Sequence, residues 1–185
     1  SSVYPELDDE YVSDTTDFET VDEFKADIRK TLEERKVQMA ERQKEDKAIE
    51  KLVESSKMEL PEAMIRYQQQ KMVDEFGQQL MYQGMNLEQY LNMTAQTRDD
   101  MLDQVRPEAE NRIKKSLVIE AVAEAQKFEV SDDDTNEEME KLAKQYQMDI
   151  EKIKEIMAGE QMENLLHDIK MQKAVKFIAE QAKEV

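Results

Sequence analysis

The residues of this chain that could do chemistry are carboxylates and a single histidine. Asp132-Asp133-Asp134-Thr135-Asn136 begins like a calcium-binding loop. Such a loop needs glycine at its sixth position and a bidentate glutamate at its twelfth, where this sequence has Glu137 and Ala143. Carboxylates are common in the first turn of a helix because the helix dipole favours anions at that end. The run is therefore typical of a helix N-terminus, and we predict no metal site.

The sequence also contains no recognisable catalytic arrangement. His167 is the only histidine. It lies beside Asp168 and one position away from an apolar helical stripe, so we expect it to be a surface or partly buried residue. No glycine-rich phosphate loop, nucleophile elbow or HExxH motif occurs, and a carboxylate acid–base pair needs a pocket that separates its two pKa values. We predict no catalytic residue, no cofactor and no enzymatic activity.

The unusual feature of the side-chain composition is methionine, because the chain has 13 Met, 5 Phe and no Trp. Methionine is flexible and polarisable, so it suits surfaces that accept many apolar shapes. The excess is concentrated between residues 58 and 93, where tyrosines and Gln68 to Gln70 are interleaved with it. Met could simply fill loosely packed helix seams. The set exceeds what one core stripe needs, however, and exposed apolar surface usually marks an interaction site.

Helices must position these residues, because no segment alternates with period two over the length of a strand. One helix of about 35 residues is predicted to follow a cap at Asp17 or Thr20 and to have a largely exposed middle. A short helix is predicted over Leu87 to Met93. A second long helix is predicted from about Thr97 to Lys127, and Pro107 should kink or split it.

An internal repeat relates two helical units. Lys57-Met58-Glu59-Leu60-Pro61 opens the first unit and Lys127-Phe128-Glu129-Val130-Ser131 opens the second, and an amphipathic helix and a turn follow each. The turns are Gly84-Met85-Asn86-Leu87-Glu88 and Gln147-Met148-Asp149-Ile150-Glu151. The second unit is shorter by about seven residues, close to two helical turns. We predict a duplicated helical arm, with arm 1 over about residues 58–93 and arm 2 over about 128–157.

The charge and composition exclude several classes of partner. The formal net charge is −18, so the surface would repel nucleic acid and anionic membranes. No apolar run approaches the roughly 18 residues of a membrane span, and the absence of Cys is compatible with a reducing cytoplasm. Residues 1–19 are expected to be an extended acidic lead-in to one domain over 20–185. We predict an all-α fold, an elongated domain with a long first helix and two projecting arms on a helical base.

Five short segments spread along the chain carry a family resemblance. They are Pro5-Glu6-Leu7-Asp8-Asp9-Glu10-Tyr11-Val12, Phe24-Lys25-Ala26-Asp27-Ile28-Arg29, Leu60-Pro61-Glu62-Ala63-Met64-Ile65, Gln83-Gly84-Met85-Asn86-Leu87-Glu88 and Glu129-Val130-Ser131-Asp132. In this order and at these separations they resemble the C-terminal domain of bacterial trigger factor, the ribosome-associated chaperone, in its Gram-positive form. The resemblance extends along essentially the whole chain.

The resemblance implies a helical body whose two arms form a cradle for unfolded nascent chains, related to the helical domain of the periplasmic chaperone SurA. The family's ribosome-docking motif, Gly-Phe-Arg-x-Gly-x-x-Pro, occurs nowhere in this sequence. The family's prolyl isomerase domain precedes the Pro5-Glu6-Leu7-Asp8 segment, so we expect this chain to begin just after it. Ribosome binding, through the family's N-terminal domain, and prolyl isomerisation are therefore assigned to no residue here.

Together these observations predict an ATP-independent holdase domain, and the resemblance implies that it comes from a cytoplasmic, ribosome-associated folding and export factor. It would bind unfolded or nascent polypeptides through weak, fast-exchanging contacts in a cradle lined by Met and Tyr, and it would bind neither nucleic acid nor membrane. The predicted client-binding residues are Met64, Tyr67, Met81, Tyr82, Met85, Tyr90, Met93, Met139, Tyr146, Met148 and Met157. The alternative is a structural or self-associating helical scaffold without client binding, and a homodimer is compatible with either interpretation.

Overall fold

The computed structural model describes residue 4 and residues 6–183, and this part of the chain contains helices and no strand. The predicted all-α fold is confirmed. The helices are α1 (Asp9–Thr15), α2 (Val21–Ser55), α3 (Glu62–Tyr82), α4 (Leu87–Thr94), α5 (Arg98–Gln126), α6 (Asp132–Tyr146), α7 (Ile150–Ile156) and α8 (Glu160–Lys183). They form two compact units, the first ending at Asp46 and the second beginning at Lys47. The unit boundary therefore lies within α2, whereas the sequence places the start of a single domain at residue 20.

Residues 1–19 are predicted to be extended, and this prediction is wrong for Asp9–Thr15, which form helix α1. The Asp8 carboxylate accepts a hydrogen bond from the Tyr11 amide at 2.8 Å and so caps this helix. Val12 is fully buried, so one apolar side chain anchors a segment that is otherwise acidic and polar. Residues 1–3 and 5 of the predicted lead-in lie outside the described residues.

Helix α2 is the long first helix that the sequence predicts, and it has 35 residues. Side chains fix its start. The Glu23 amide donates a hydrogen bond to the Thr20 hydroxyl at 3.2 Å, and the Val21 amide donates one to the Asp9 carboxylate at 2.8 Å. Every residue from 25 to 44 is exposed, which confirms the predicted exposed middle.

The second unit contains the repeat, with α3–α4–α5 as its first copy and α6–α7–α8 as its second. In each copy the first helix packs on the second and third, and α5 packs on α8. The two first helices also end alike. The Met85 amide donates to the Leu80 carbonyl at 3.0 Å, and the Met148 amide donates to the Ala143 carbonyl at 2.9 Å. Such a bond follows a residue in the left-handed conformation, which is present at both ends.

Two apolar clusters stabilise this unit. One joins the C-terminal end of α2 to α5 and α8, and its buried members are Ala48, Ile49, Val118 and Ile178. The other holds the second copy of the repeat together, and its buried members are Met139, Ile153, Leu165 and Ile169. The base of the unit and arm 2 therefore have separate apolar cores.

Helix α5 runs without interruption through Pro107, so the predicted split does not occur. A proline in a helix interior removes one backbone hydrogen bond and costs about 3 kcal/mol. Burial of Ala109 and Ile113 in the following turns holds α5 against its neighbours. Arg106 also bonds to Glu110 across the proline at 3.0 Å. Tertiary packing thus offsets the local preference for a break.

Candidate functional site

Arm 1 is built from α3 and α4 packed on α5. Ile65, Val73 and Leu80 of α3 are buried. Gln69 is buried among them, and its side-chain amide donates a hydrogen bond to the Leu102 carbonyl of α5 at 2.9 Å. Because an unpaired buried amide is costly, this bond helps to fix the rotation of α3 about its own axis. The opposite face of α3 is thereby turned outward.

The outward surface of arm 1 carries large apolar and aromatic side chains. The most exposed are Tyr67, Met81, Tyr82 and Met93, at 70%, 69%, 93% and 74% of their full accessible area. Met64 is also exposed, whereas Met85 and Tyr90 are half-buried. Four of the five exposed side chains lie on the 21-residue helix α3 and the fifth lies on α4. This is more than the scattered apolar residues of an ordinary surface, and it is typical of an interaction site.

A groove with a volume of about 360 Å³ lies between α3, α4 and α5. Phe76 and Tyr90 form part of its wall, edge to face, with ring centroids 5.0 Å apart. Met72, Met101 and Val105 extend the apolar wall. The polar side chains at the groove are Glu75, Gln79, Gln104 and Arg112. An apolar cavity with a few polar groups is suited to holding one large side chain of a partner.

Little of this groove is visible in the sequence. Met72 and Phe76 recur at helical spacing with Ile65, Val73 and Leu80, which predicts one core stripe of α3. Tyr90 alone is both a predicted binding residue and a lining residue. The groove arises because side chains from three helices do not fill the space between them. That property depends on tertiary packing, and no spacing in the sequence signals it.

Arm 2 does not present the predicted methionine surface. Met139 is only 5% exposed and belongs to the apolar core of arm 2, so its prediction as a client-binding residue is wrong. Met148 and Met157 pack against the same core. The cause is the short, polar sequence of α6, in which Met139 and Leu142 are the largest apolar side chains available to pack on α7 and α8. Tyr146 is exposed at the end of α6.

Each arm is held at the start of its first helix by a cation from the third helix of the same copy. Arg106 of α5 donates to both carboxylate oxygens of Glu62 in α3, at 2.5 and 3.1 Å, and this hydrogen bonding lowers the pKa of Glu62. Lys173 of α8 donates to the Asp134 carboxylate of α6 at 2.6 Å and to the Glu129 carbonyl at 2.7 Å. The base of each arm is therefore fixed by an ion pair.

Asp134 is both a capping residue and an ion-pair partner. Its carboxylate accepts a hydrogen bond from the Ser131 amide at 3.0 Å, and its own amide donates to the Ser131 hydroxyl at 3.1 Å. These two bonds form a capping box at the start of α6. The hydrogen bond from Lys173, followed by those with Ser131, lowers the pKa of Asp134 from 3.8 to about 2.

We expect the Asp134–Lys173 pair to make the domain acid-sensitive in a defined window. A carboxylate whose pKa is lower in the folded state contributes stability above its unfolded pKa and loses it as the pH falls through its folded pKa. This contribution should be complete above about pH 4 and lost by about pH 2, given the two pKa values of Asp134. Thermal unfolding of the original sequence and of Lys173→Met should show a difference in melting temperature that shrinks as the pH falls across this range. The part due to the bond from Lys173 to the Glu129 carbonyl should remain. A difference independent of pH would contradict the assignment.

In the described part of the chain, no group of three or more His, Cys, Asp or Glu side chains is placed to hold a metal ion. Asp132 to Asp134 form the first turn of α6, and His167 is exposed on α8. No helix within residues 6–183 combines the length and the apolar character needed to cross a membrane. The candidate site is therefore the apolar surface and groove of arm 1.

Comparison with known proteins agrees with the resemblance in the sequence. The profile of the family described as bacterial trigger factor protein (TF) C-terminus matches residues 20–180. The trigger factor of Agathobacter rectalis is 46% identical over 180 residues, which cover 97% of this chain and 41% of the relative. The trigger factor of Shouchella clausii is 42% identical over 183 residues, which cover 98% of this chain and 42% of the relative. The chain thus spans about two fifths of the length of the curated relatives it matches.

A solved structure is also similar. It comes from work on promiscuous substrate recognition in folding and assembly activities of the trigger factor chaperone, and it matches with a TM-score of 0.55 at 21% identity. The match covers 96% of this chain and 43% of the solved one, and at that identity it shows the fold alone. The matched profile is that of the C-terminus and not of a catalytic domain. The chain belongs to the bacterial trigger factor family, as its C-terminal part.

Proposed function

We propose that this chain is an ATP-independent chaperone domain, working in the cytoplasm, that binds apolar segments of unfolded or nascent polypeptides on arm 1. The observation that carries the proposal is the concentration of exposed large apolar side chains on α3 and α4, above all Tyr67, Met81, Tyr82 and Met93. Membership of the trigger factor family supports it. The groove beside Phe76 and Tyr90 adds a concave site on the same arm.

The two parts of the surface would contribute differently. The groove takes one bulky side chain of the client, because its wall combines aromatic rings with the thioethers of Met72 and Met101. The outward residues have no fixed packing partner and adapt to different neighbouring side chains. Their combination allows binding without a sequence requirement.

The energetics favour release without nucleotide hydrolysis. Each large apolar side chain that leaves water contributes about 1.5–3 kcal/mol, whereas association costs several kcal/mol in lost freedom of motion. Two or three such contacts therefore give weak, rapidly reversible binding. The net charge of −18 keeps complexes with aggregation-prone clients apart by repulsion.

The client surface that we propose keeps all seven predicted residues of arm 1 and one predicted residue of arm 2, and it adds Met72 and Phe76 from the groove. Its members are Met64, Tyr67, Met72, Phe76, Met81, Tyr82, Met85, Tyr90, Met93 and Tyr146. Met139 is left out because it is a core residue. Met148 and Met157 are assigned to packing because they lie against the same core.

The proposal is tested by diluting a chemically denatured protein into buffer with and without the domain and recording light scattering. Without ATP, the domain in several-fold molar excess should suppress aggregation. Titration of the isotope-labelled domain with an unfolded polypeptide should shift NMR signals of α3 and α4 first. Unchanged scattering, together with concentration-dependent association of the domain with itself, would instead support a self-associating scaffold.

A further inference from the structure

We propose that the exposed methionines of arm 1 are oxidation sites, at which a peroxide reversibly switches off the binding of clients. The pattern of oxidation depends on the structure alone, whereas its effect on clients rests on the proposed function. The sites are Met64 and Met81 in α3 and Met93 in α4. The same exposed thioethers would adapt to different clients and would also be open to oxidation.

The methionines of this chain differ sharply in exposure. Of the 13, those exposed are Met39 in α2 and the three residues of arm 1. Met101 in α5 and Met139 in α6 are buried, and the others are half-buried. From α5 to the last described residue no methionine is exposed. Apart from Met39, an oxidant in solution would therefore meet freely accessible thioethers on arm 1.

Methionine is also the side chain that a mild oxidant would attack. The chain has no Cys and no Trp that could react first. The thioether sulfur attacks one oxygen of hydrogen peroxide, the O–O bond breaks, an S=O bond forms and the second oxygen leaves as water. Sulfur loses two electrons and the peroxide gains them. Hydrogen peroxide is neutral, so the negative charge of the domain does not slow its approach.

The consequence differs between exposed and packed methionines. A sulfoxide is polar, so it removes apolar contact area from the surface that bears it. Met81 and Met93 belong to neither apolar cluster, and the fold should tolerate their oxidation. Met148 packs against the core of arm 2, and its oxidation would act on stability instead. Sulfoxides on an exposed surface are accessible to methionine sulfoxide reductases, which makes the change reversible.

The order of oxidation can be measured by titrating the domain with hydrogen peroxide and following each methionine by peptide mass spectrometry. Met81 and Met93 should react first, and the buried Met101 and Met139 should react slower by roughly tenfold or more, since susceptibility follows exposure. Equal rates at Met81 and Met139 would overturn the proposal.

The effect on function can be measured as the affinity for a fluorescent unfolded polypeptide before and after mild oxidation. Oxidised protein should bind roughly tenfold more weakly, because apolar contact area is lost from the binding surface. Its thermal unfolding should change little. Incubation with methionine sulfoxide reductases should restore the affinity.

Leucine variants separate arm 1 from the rest of the chain. Met64→Leu, Met81→Leu and Met93→Leu together remove the oxidisable sulfurs of this surface and keep it apolar. Whatever affinity this variant has before treatment, that affinity should change by less than about twofold after peroxide. Met39→Leu is the matched control, because this exposed methionine lies outside arm 1. After peroxide treatment, the affinity of the Met39→Leu variant should fall as much as that of the original protein. Equal loss in both variants, or no loss in the oxidised original protein, would overturn the proposal. Absence of binding before any oxidation would instead overturn the proposed function.

Discussion

Replacement of Ile49 by alanine is expected to lower the free energy of unfolding of the second unit by about 2–5 kcal/mol. Ile49 is buried in the cluster that joins α2 to Val118 of α5 and Ile178 of α8. Truncation leaves a cavity that three helices cannot close without moving relative to one another. Urea denaturation followed by circular dichroism measures the change.

The matched control lies on the same helix. Leu32 is exposed in the middle of α2, so Leu32→Ala should change the free energy of unfolding by less than about 0.5 kcal/mol. Equal losses for Ile49→Ala and Leu32→Ala would show that the middle of α2 is packed against something, contrary to the exposure of its side chains.

The second large effect concerns binding. Met64→Ala combined with Met81→Ala should weaken binding of an unfolded polypeptide by roughly tenfold, because two exposed apolar side chains are lost from the surface. The melting temperature should change little, since both residues are exposed. Affinity is measured by fluorescence anisotropy, and stability is measured by thermal unfolding of the same samples.

Phe76→Ala is the counterpart of this pair on the same helix. Phe76 is half-buried and packs edge to face on Tyr90 of α4, so its truncation should cost roughly 2–3 kcal/mol and lower the melting temperature markedly. Because Phe76 also lines the groove, its truncation should weaken client binding as well. A large loss of stability in the Met64 and Met81 pair with intact binding would mean that the inward and outward faces of arm 1 are interchanged.

Local features of this fold could be predicted because they depend on residues that are close together in the sequence. Ser131 and Asp134 form a capping box through bonds across three residues, and such pairs are visible in any sequence. The long exposed middle of α2 is equally predictable from the sequence. Helix-forming residues without apolar spacing indicate a helix whose side chains have no packing partner. Helix α1 could not be predicted from apolar spacing, because Val12 is its single buried residue and one residue gives no periodicity.

The candidate site could be predicted only in part, for a physical reason. Periodicity separates the faces of a helix but does not identify the neighbour of each face. Tyr67 and Met81 lie partly off the apolar stripe of α3 and are exposed, whereas Met139 is buried because α7 and α8 pack on it. The groove beside Tyr90 depends on three helices at once. Information of that kind is absent from the spacing of any one segment.

The unequal lengths of the first helices in the two copies have a consequence for the polypeptides that arms of this kind would handle. Helix α3 has 21 residues and α6 has 15. At about 1.5 Å per residue they differ in reach by about 9 Å, which equals roughly three residues of an extended chain. A polypeptide bound near the ends of both helices would therefore be contacted at two different distances from the starts of these helices. The two arms therefore have different reaches, and they would contact different positions along one bound chain.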